Sequence, residues 1–170
     1  MRFVFVLDRQ SGEYLLSRAY AKQTWAEFIN KSGRPKRFPN TFPSEKGMLV
    51  YPYVGSAINW WSPTYSPQTK LFYLIAFDGA GTYYLGEAKY EPGKLFLGGA
   101  GTTNEFEDLP DSSYVSAVRS IDPLTGKRKW EYRVQPKSTL GLLSTAGNLV
   151  FGGTVKGNFF ALNAKTGKEL

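Results

Sequence analysis

The chain has 170 residues, of which 42% are hydrophobic and 16% are aromatic, with 18 Gly, 10 Pro and a formal net charge of +7. This composition is typical of one ordered domain rich in strands and turns, and it excludes a disordered chain. The chain has no Cys and no His, which excludes thiol nucleophiles, disulfides, zinc sites and imidazole acid–base chemistry within it.

The positive charge does not indicate a nucleic-acid partner. The basic residues are scattered, and the densest run, Lys31–Arg37, is interrupted by a glycine and a proline. No folded nucleic-acid-binding motif accompanies them, so we predict no such partner. No stretch approaches the roughly 20 apolar residues that span a bilayer, and the N-terminal apolar run ends at Asp8, too early for a signal peptide.

Apolar segments bounded by turn residues predict strands along most of the chain. In chain order these strands are 3–7, 14–16, Met48–Tyr53, Leu71–Ala76, Val115–Ile121, Lys129–Val134, Leu142–Thr145, Asn148–Gly153 and Phe159–Leu162. Two loop-rich insertions interrupt them, at about 19–47 and 77–113. We predict a short helix at Trp25–Ile29 in the first, and a surface loop or lid with an acidic patch at Glu105–Asp111 in the second. The chain is predicted to be a single all-β domain over residues 1–170.

One turn occurs three times, and it suggests a repeated hairpin. Each copy has an apolar strand, an Asp or Asn, three variable residues and a glycine, at Asp8–Gly12, Asp122–Gly126 and Asn163–Gly167. The Asp or Asn side chain can hydrogen-bond the backbone two residues on, and the glycine supplies the positive φ that closes the hairpin. The last two turns lie about 40 residues apart, the length of one four-stranded propeller blade. Aligning the turns makes Leu16 and Trp130 equivalent.

These features predict a partial β-propeller of four-stranded antiparallel blades with long loop insertions. A propeller pairs its first and last strands to close its ring, and this sequence shows no matching spare strand. Unpaired edges of this kind invite association. We therefore expect these residues to be part of a larger propeller, either a truncated product or a piece that pairs with another chain.

Several segments together resemble the quinoprotein alcohol dehydrogenases, which depend on pyrroloquinoline quinone. The segments that carry the resemblance span nearly the whole chain and are Phe5–Glu13, Lys22–Ala26, Asn59–Pro63 with Tyr65–Pro67, Ala117–Arg119 leading to Ile121–Pro123, and Leu143–Gly153. The resemblance implies an eight-bladed propeller in the periplasm, with the quinone near its axis beside a calcium or lanthanide ion. This chain looks like the C-terminal part of that propeller.

The resemblance also implies cofactor-binding residues. Asn59 matches the asparagine that bonds the ortho-quinone end, a task that suits an amide because it donates and accepts. Trp60 offers a stacking surface, although packing between blades is the expected role of at least one of Trp60 and Trp61. Leu142 and Leu143 lie in a stretch whose backbone approaches the cofactor. The sequence departs from the family at Thr139, where relatives usually carry a tryptophan, and Trp130 resembles a tryptophan that packs between blades.

The family's metal-binding residues, its catalytic aspartate, the tryptophan beneath the quinone and the disulfide all lie upstream of the matched region. We therefore assign no catalytic and no metal-binding residue to this chain. Asp8 is explained by its turn, and we assign Asp78 and Asp111 to solvated loops.

The leading hypothesis is the C-terminal portion of a dehydrogenase that oxidises an alcohol or polyol and passes electrons to a cytochrome or membrane quinone. Alone, it is expected to be inactive, because the base and the cation that hydride transfer requires are upstream. One alternative is a non-catalytic propeller scaffold, against which the Asn59–Trp61 turn argues. A third is a carbohydrate-binding module, suggested by Tyr83, Tyr84 and Tyr90, which alternatively pack the second insertion.

Overall fold

The computed structural model describes residues 3–55, 57–96, 100–104, 115–135 and 140–170. Within these ranges the chain is all-β, as predicted, with no helix. The strands are β1 (Phe3–Leu7), β2 (Tyr14–Ala19), β3 (Ala26–Ile29), β4 (Pro35–Arg37), β5 (Met48–Val50), β6 (Thr64–Ser66), β7 (Leu71–Asp78), β8 (Gly81–Leu85), β9 (Ala100–Asn104), β10 (Val115–Ile121), β11 (Arg128–Arg133), β12 (Leu143–Ser144), β13 (Leu149–Gly153) and β14 (Phe159–Asn163).

The strands form five antiparallel sheets. The central sheet has four strands in the order β6–β7–β10–β11, with Ala117 opposite Ala76 on one side and Arg133 on the other. A three-stranded sheet, β12–β13–β14, follows it, and the two-stranded sheet β1–β2 precedes it. The remaining sheets, β3–β4 and β5–β8–β9, are built largely from the two insertions.

The insertions differ from the prediction. The helix predicted at Trp25–Ile29 is wrong, because Ala26–Ile29 is β3 and pairs with β4. A turn sets this hairpin, since the Asn30 side-chain oxygen accepts the backbone N–H groups of Ser32 and Arg34, each at 2.9 Å, and Gly33 has a φ of +73°. The second insertion is not a loop throughout, because β8 and β9 pair in it. The acidic patch Glu105–Asp111 lies outside the described residues.

The repeated turn is built as the sequence predicts. The Asp8 Oδ1 atom accepts the backbone N–H of Gln10 at 3.0 Å and of Ser11 at 2.8 Å. Asp122 and Asn163 accept the N–H two residues ahead in the same way, at 2.9 and 3.0 Å. The three closing glycines have φ between +66° and +73°. The hydrogen bonds that Asp8 accepts, above all from Ser11, stabilise its charged carboxylate, so they hold the pKa of Asp8 below its ordinary value.

The larger core lies between the four-stranded and three-stranded sheets, and two aromatic side chains join them. The Tyr73 hydroxyl and the Trp130 indole N–H both donate to the Ala164 carbonyl oxygen, each at 3.0 Å. The Trp130 ring also covers Gly167, where an added Cβ would lie 2.5 Å from a ring carbon. Trp130 therefore packs one sheet against the turn of the next, which is the role that the resemblance implied for it.

A second apolar cluster packs sheet β1–β2 against the other side of the four-stranded sheet. It contains Tyr20, Ala57, Leu74, Ala76 and Ile121, all buried, with Val4 packed against it. The side chain nearest to Gly126 is that of Arg18, two residues after Leu16, so the residue that the turn alignment matched to Trp130 is not the one that covers this glycine. The three copies of the repeated hairpin thus lie on successive, packed sheets.

Candidate functional site

The segment that carries Asn59 and Trp60 is anchored at its start by β7. Ala57 donates its N–H to the Phe77 carbonyl at 2.7 Å and accepts the Phe77 N–H at 3.1 Å. Beyond this bridge Asn59 is exposed, and Trp60 has 83% of its surface exposed. Trp61, in contrast, packs against the larger core. One of the two tryptophans therefore has the expected packing role, and the other is an open aromatic surface.

Hydrogen bonds join this segment to the stretch that carries Leu142 and Leu143. The Leu142 N–H donates to the Ser62 carbonyl at 2.9 Å. Two residues along the chain, the Thr64 and Ser144 hydroxyl oxygens lie 2.8 Å apart, and the Ser144 N–H donates to the Thr64 hydroxyl at 3.2 Å. The fold therefore brings together the two segments that the sequence predicted to share a site, although about 80 residues separate them.

An apolar cleft opens beside the second of these segments. It has a volume of about 620 Å³, and none of its lining residues, Leu140, Gly141, Leu142, Leu143, Phe151, Gly152, Gly153 and Phe159, is charged. Leu142 is buried, whereas Leu143 is 61% exposed. The Phe151 and Phe159 rings stack with 5.5 Å between their centroids. Leu142 and Leu143 thus line one cleft, and Asn59 and Trp60 are not among its lining residues.

The floor of this cleft requires a glycine. A Cβ added at Gly152 would lie 2.4 Å from the Phe160 ring and 2.8 Å from a Leu142 methyl carbon. A larger residue there would displace Leu142. The apolar lining of the cleft therefore depends on a glycine at this position as well as on the large side chains.

A buried ion network occupies the opposite side of the four-stranded sheet, and it corrects one prediction. Asp78 is not a residue of a solvated loop, because its carboxylate pairs with the guanidinium of Arg119, with 2.5 Å between Nη2 and Oδ2. The Arg119 Nε atom lies 2.8 Å from Glu131, and Nη1 donates to the Tyr20 carbonyl at 2.9 Å. The Arg119 side chain is only 4% exposed. The network ties β7, β10 and β11 to the end of β2.

Electrostatics keep Arg119 charged. Burial by itself lowers the pKa of the guanidinium, but the hydrogen bonds and charges of Asp78 and Glu131 outweigh it, so the pKa of Arg119 lies above its ordinary value. Arg119 interrupts an apolar strand in the sequence, and a charge at such a position requires a buried partner. That signal indicates the network, but it does not identify Asp78.

Other predicted positions have structural roles or lie outside the described residues. Tyr83 donates its hydroxyl hydrogen to the Pro52 carbonyl at 3.1 Å, and Tyr84 packs over Gly47. Asp111 and Thr139 are not among the described residues. Within the described ranges, no three Asp or Glu side chains are grouped as metal ligands. No helix in those ranges is long and apolar enough to cross a membrane.

No protein-family model matches the chain, but individual known proteins do. The chain is 38% identical over 180 residues to a quinoprotein ethanol dehydrogenase of Pseudomonas putida and 36% identical over 180 residues to the quinoprotein alcohol dehydrogenase PedE of the same species. Each alignment covers 99% of this chain and 28% of the relative. The chain therefore spans little more than a quarter of the length of these relatives.

Solved structures that resemble this chain are dehydrogenases of the same kind as its sequence relatives. A solved europium-containing methanol dehydrogenase superposes with a TM-score of 0.85 at 32% identity, over 99% of this chain and 30% of that protein. The TM-score of 0.85 shows that the two proteins share a fold here. The identity of 32% shows in addition that their sequences are related, so the likeness reflects common descent. By sequence and by fold, this chain is related to one part of the quinoprotein alcohol dehydrogenases.

Proposed function

We propose that this chain forms the C-terminal part of the propeller of an alcohol or polyol dehydrogenase that depends on pyrroloquinoline quinone. The observation that carries the proposal is the match in sequence and fold over 99% of the chain. The four-stranded sheet then corresponds to one complete blade. Sheets β1–β2 and β12–β13–β14 correspond to incomplete blades on either side of it.

In this proposal Asn59, Trp60, Leu142 and Leu143 face the quinone. The hydrogen bond between Leu142 and Ser62 supports a shared site, because it holds the two segments together. Pyrroloquinoline quinone is planar, so its site needs apolar walls against the ring faces. It is also anionic, so its site needs cationic side chains or N–H groups that donate to its oxygens. The cleft beside β12 and β13 supplies an apolar wall without a charged lining residue. The described residues therefore fit one wall of such a site and not the whole of it.

This partial fit supports a chain that is inactive by itself. The missing parts are a base that accepts the alcohol proton and a cation that polarises the quinone, both expected from the rest of the propeller. The europium in the similar methanol dehydrogenase supports a lanthanide or calcium ion for the whole enzyme. An alcohol substrate, a cytochrome or quinone acceptor and a periplasmic location belong to the same proposal.

A chimera tests the proposal. This chain replaces the matching region of the Pseudomonas putida ethanol dehydrogenase, and alcohol oxidation is followed with an artificial electron acceptor, with and without added quinone and calcium. We expect quinone-dependent activity that Asn59→Ala reduces at least about tenfold, because the substitution removes the amide expected to hydrogen-bond the reacting end of the quinone. Tyr90→Ala, in the second insertion, is the matched control and should retain activity.

Two results distinguish the alternatives. A chimera that folds and binds no quinone would contradict the proposal and favour a non-catalytic scaffold. The isolated chain, mixed with quinone and calcium, should show little change in cofactor absorbance or melting temperature. Saturable binding that Asn59→Ala abolishes would mean that the chain carries a complete cofactor site, against the expectation of inactivity.

A further inference from the structure

A polar cavity lies where the end of β2 meets the four-stranded sheet, and its volume is about 330 Å³. It is lined on one side by residues 19–22 and on the other by Asp78, Arg119, Ile121 and Arg128. Two hydrogen bonds hold these sides together, from the Lys22 N–H to the Asp78 carboxylate at 2.8 Å and from Arg119 to the Tyr20 carbonyl at 2.9 Å. Both walls of the cavity are therefore formed by segments that the structure describes.

Arg119 brings a buried hydrogen-bond donor to this cavity. A guanidinium has five N–H groups, and four of those of Arg119 have acceptors. Nε donates to Glu131 at 2.8 Å, Nη1 donates to the Tyr20 carbonyl at 2.9 Å and to Asp78 at 3.3 Å, and Nη2 donates to Asp78 at 2.5 Å. The second N–H of Nη2 has no acceptor among the residues that the structure describes, and the side chain is only 4% exposed. A buried donor without an acceptor is costly, so an oxygen atom in the cavity would stabilise it.

The charged groups around the cavity leave an excess of one positive charge. Lys22, Arg119 and Arg128 are three cations, and Asp78 and Glu131 are two anions. Both carboxylates are already engaged, since Asp78 pairs with Arg119, and Glu131 pairs with Arg119 and Arg128. Arg128 uses one N–H group in this contact, and its side chain is 51% exposed. The rim of the cavity therefore has charged donors for an anion that enters from solvent.

We propose that this cavity binds a small organic anion through a phosphate or carboxylate group that accepts hydrogen bonds from Arg119 and Arg128. A guanidinium fits both kinds of group, because its planar N–H donors match two oxygens at once. Ala19, Ala21 and Ile121 supply an apolar wall for the carbon part of the ligand. The volume is at the lower end of the range for ligand pockets, about 300 to 1,000 Å³, which limits the ligand to a small molecule. The proposal does not depend on the dehydrogenase function, because no residue of this cavity lines the apolar cleft.

Titration with inorganic phosphate tests the site. Chloride is replaced by phosphate at constant ionic strength, and the chain is followed by two-dimensional amide NMR. We expect saturable shifts for the Lys22 backbone N–H and the Arg119 Nε–H, and a melting temperature about 3 to 6 °C higher at ten times the Kd. A parallel titration with acetate shows which group the site prefers, since the preferred group gives the lower Kd. If neither anion shifts these two resonances, the proposal is overturned.

Matched variants separate this site from a general effect of phosphate on stability. Arg128→Gln should weaken phosphate binding at least about tenfold, because it removes charge-assisted hydrogen bonds to the anion. Lys165→Gln removes the same charge from an exposed turn residue and should leave the Kd unchanged. Both positions are exposed, so both variants should keep the fold, which the same spectra check. Equal binding by Arg128→Gln and the wild-type chain would refute the site, even if phosphate raised the melting temperature of both.

Discussion

Asp78→Asn is expected to destabilise the protein well beyond what the loss of a surface charge does. The carboxylate pairs with Arg119, whose side chain is 4% exposed, and the substitution keeps its size while removing its charge. Breaking a buried ion pair costs about 3 to 5 kcal/mol, because the remaining charge is left without compensation. Glu131 still holds the guanidinium at 2.8 Å, which favours the lower end, about 3 kcal/mol.

Urea and thermal unfolding, followed by tryptophan fluorescence, measure this loss. A loss of 3 kcal/mol corresponds to a fall of about 6 to 12 °C in melting temperature for a domain of this size. Glu91→Gln is the matched control, since it makes the same change in an ion pair with Lys94 whose side chains are 45% and 73% exposed. That pair should contribute less than about 1 kcal/mol. Equal losses for the two variants would refute the reasoning that burial sets the cost.

Two further predictions concern the repeated turn. Gly12 and Gly167 both have a φ of +73°, but only at Gly167 would an added Cβ meet Trp130, so Gly167→Ala should cost at least about 1 kcal/mol more than Gly12→Ala in urea unfolding. Equal costs would contradict this. The folded pKa of Asp8 lies below 3.8, so its stabilisation is complete above that pH and is lost as the pH falls through the folded value. The deficit of Asp8→Ala should therefore shrink in acid, and a deficit that is independent of pH would contradict it.

The local parts of the fold could be predicted from the sequence. The repeated turns follow from a side-chain acceptor and a glycine within five residues, and β10 has the bounds that its apolar pattern predicts. The resemblance to the quinoprotein family, carried by short motifs, is confirmed by the comparisons. Asn30 and Gly33 carry a turn signal of the same kind, which indicates the β3–β4 hairpin where a helix was predicted.

The candidate site could be predicted only in part. The resemblance implies Asn59 and Leu142, but the contact between their two segments, from Leu142 to Ser62, is one that no local pattern encodes. The apolar cleft beside β12 likewise depends on Phe151, Phe159 and Gly152 meeting across a sheet. Such contacts join distant segments, so the register and packing of whole sheets decide them.

The sequence by itself determined the all-β class, the three equivalent turns and the absence of thiol and imidazole chemistry, because each follows from residue types and short spacings. The tertiary structure alone decided that Asp78 pairs with buried Arg119 and that the insertions contain strands. The physical reason is that burial and strand pairing depend on which distant segments pack together, and local propensity does not specify this.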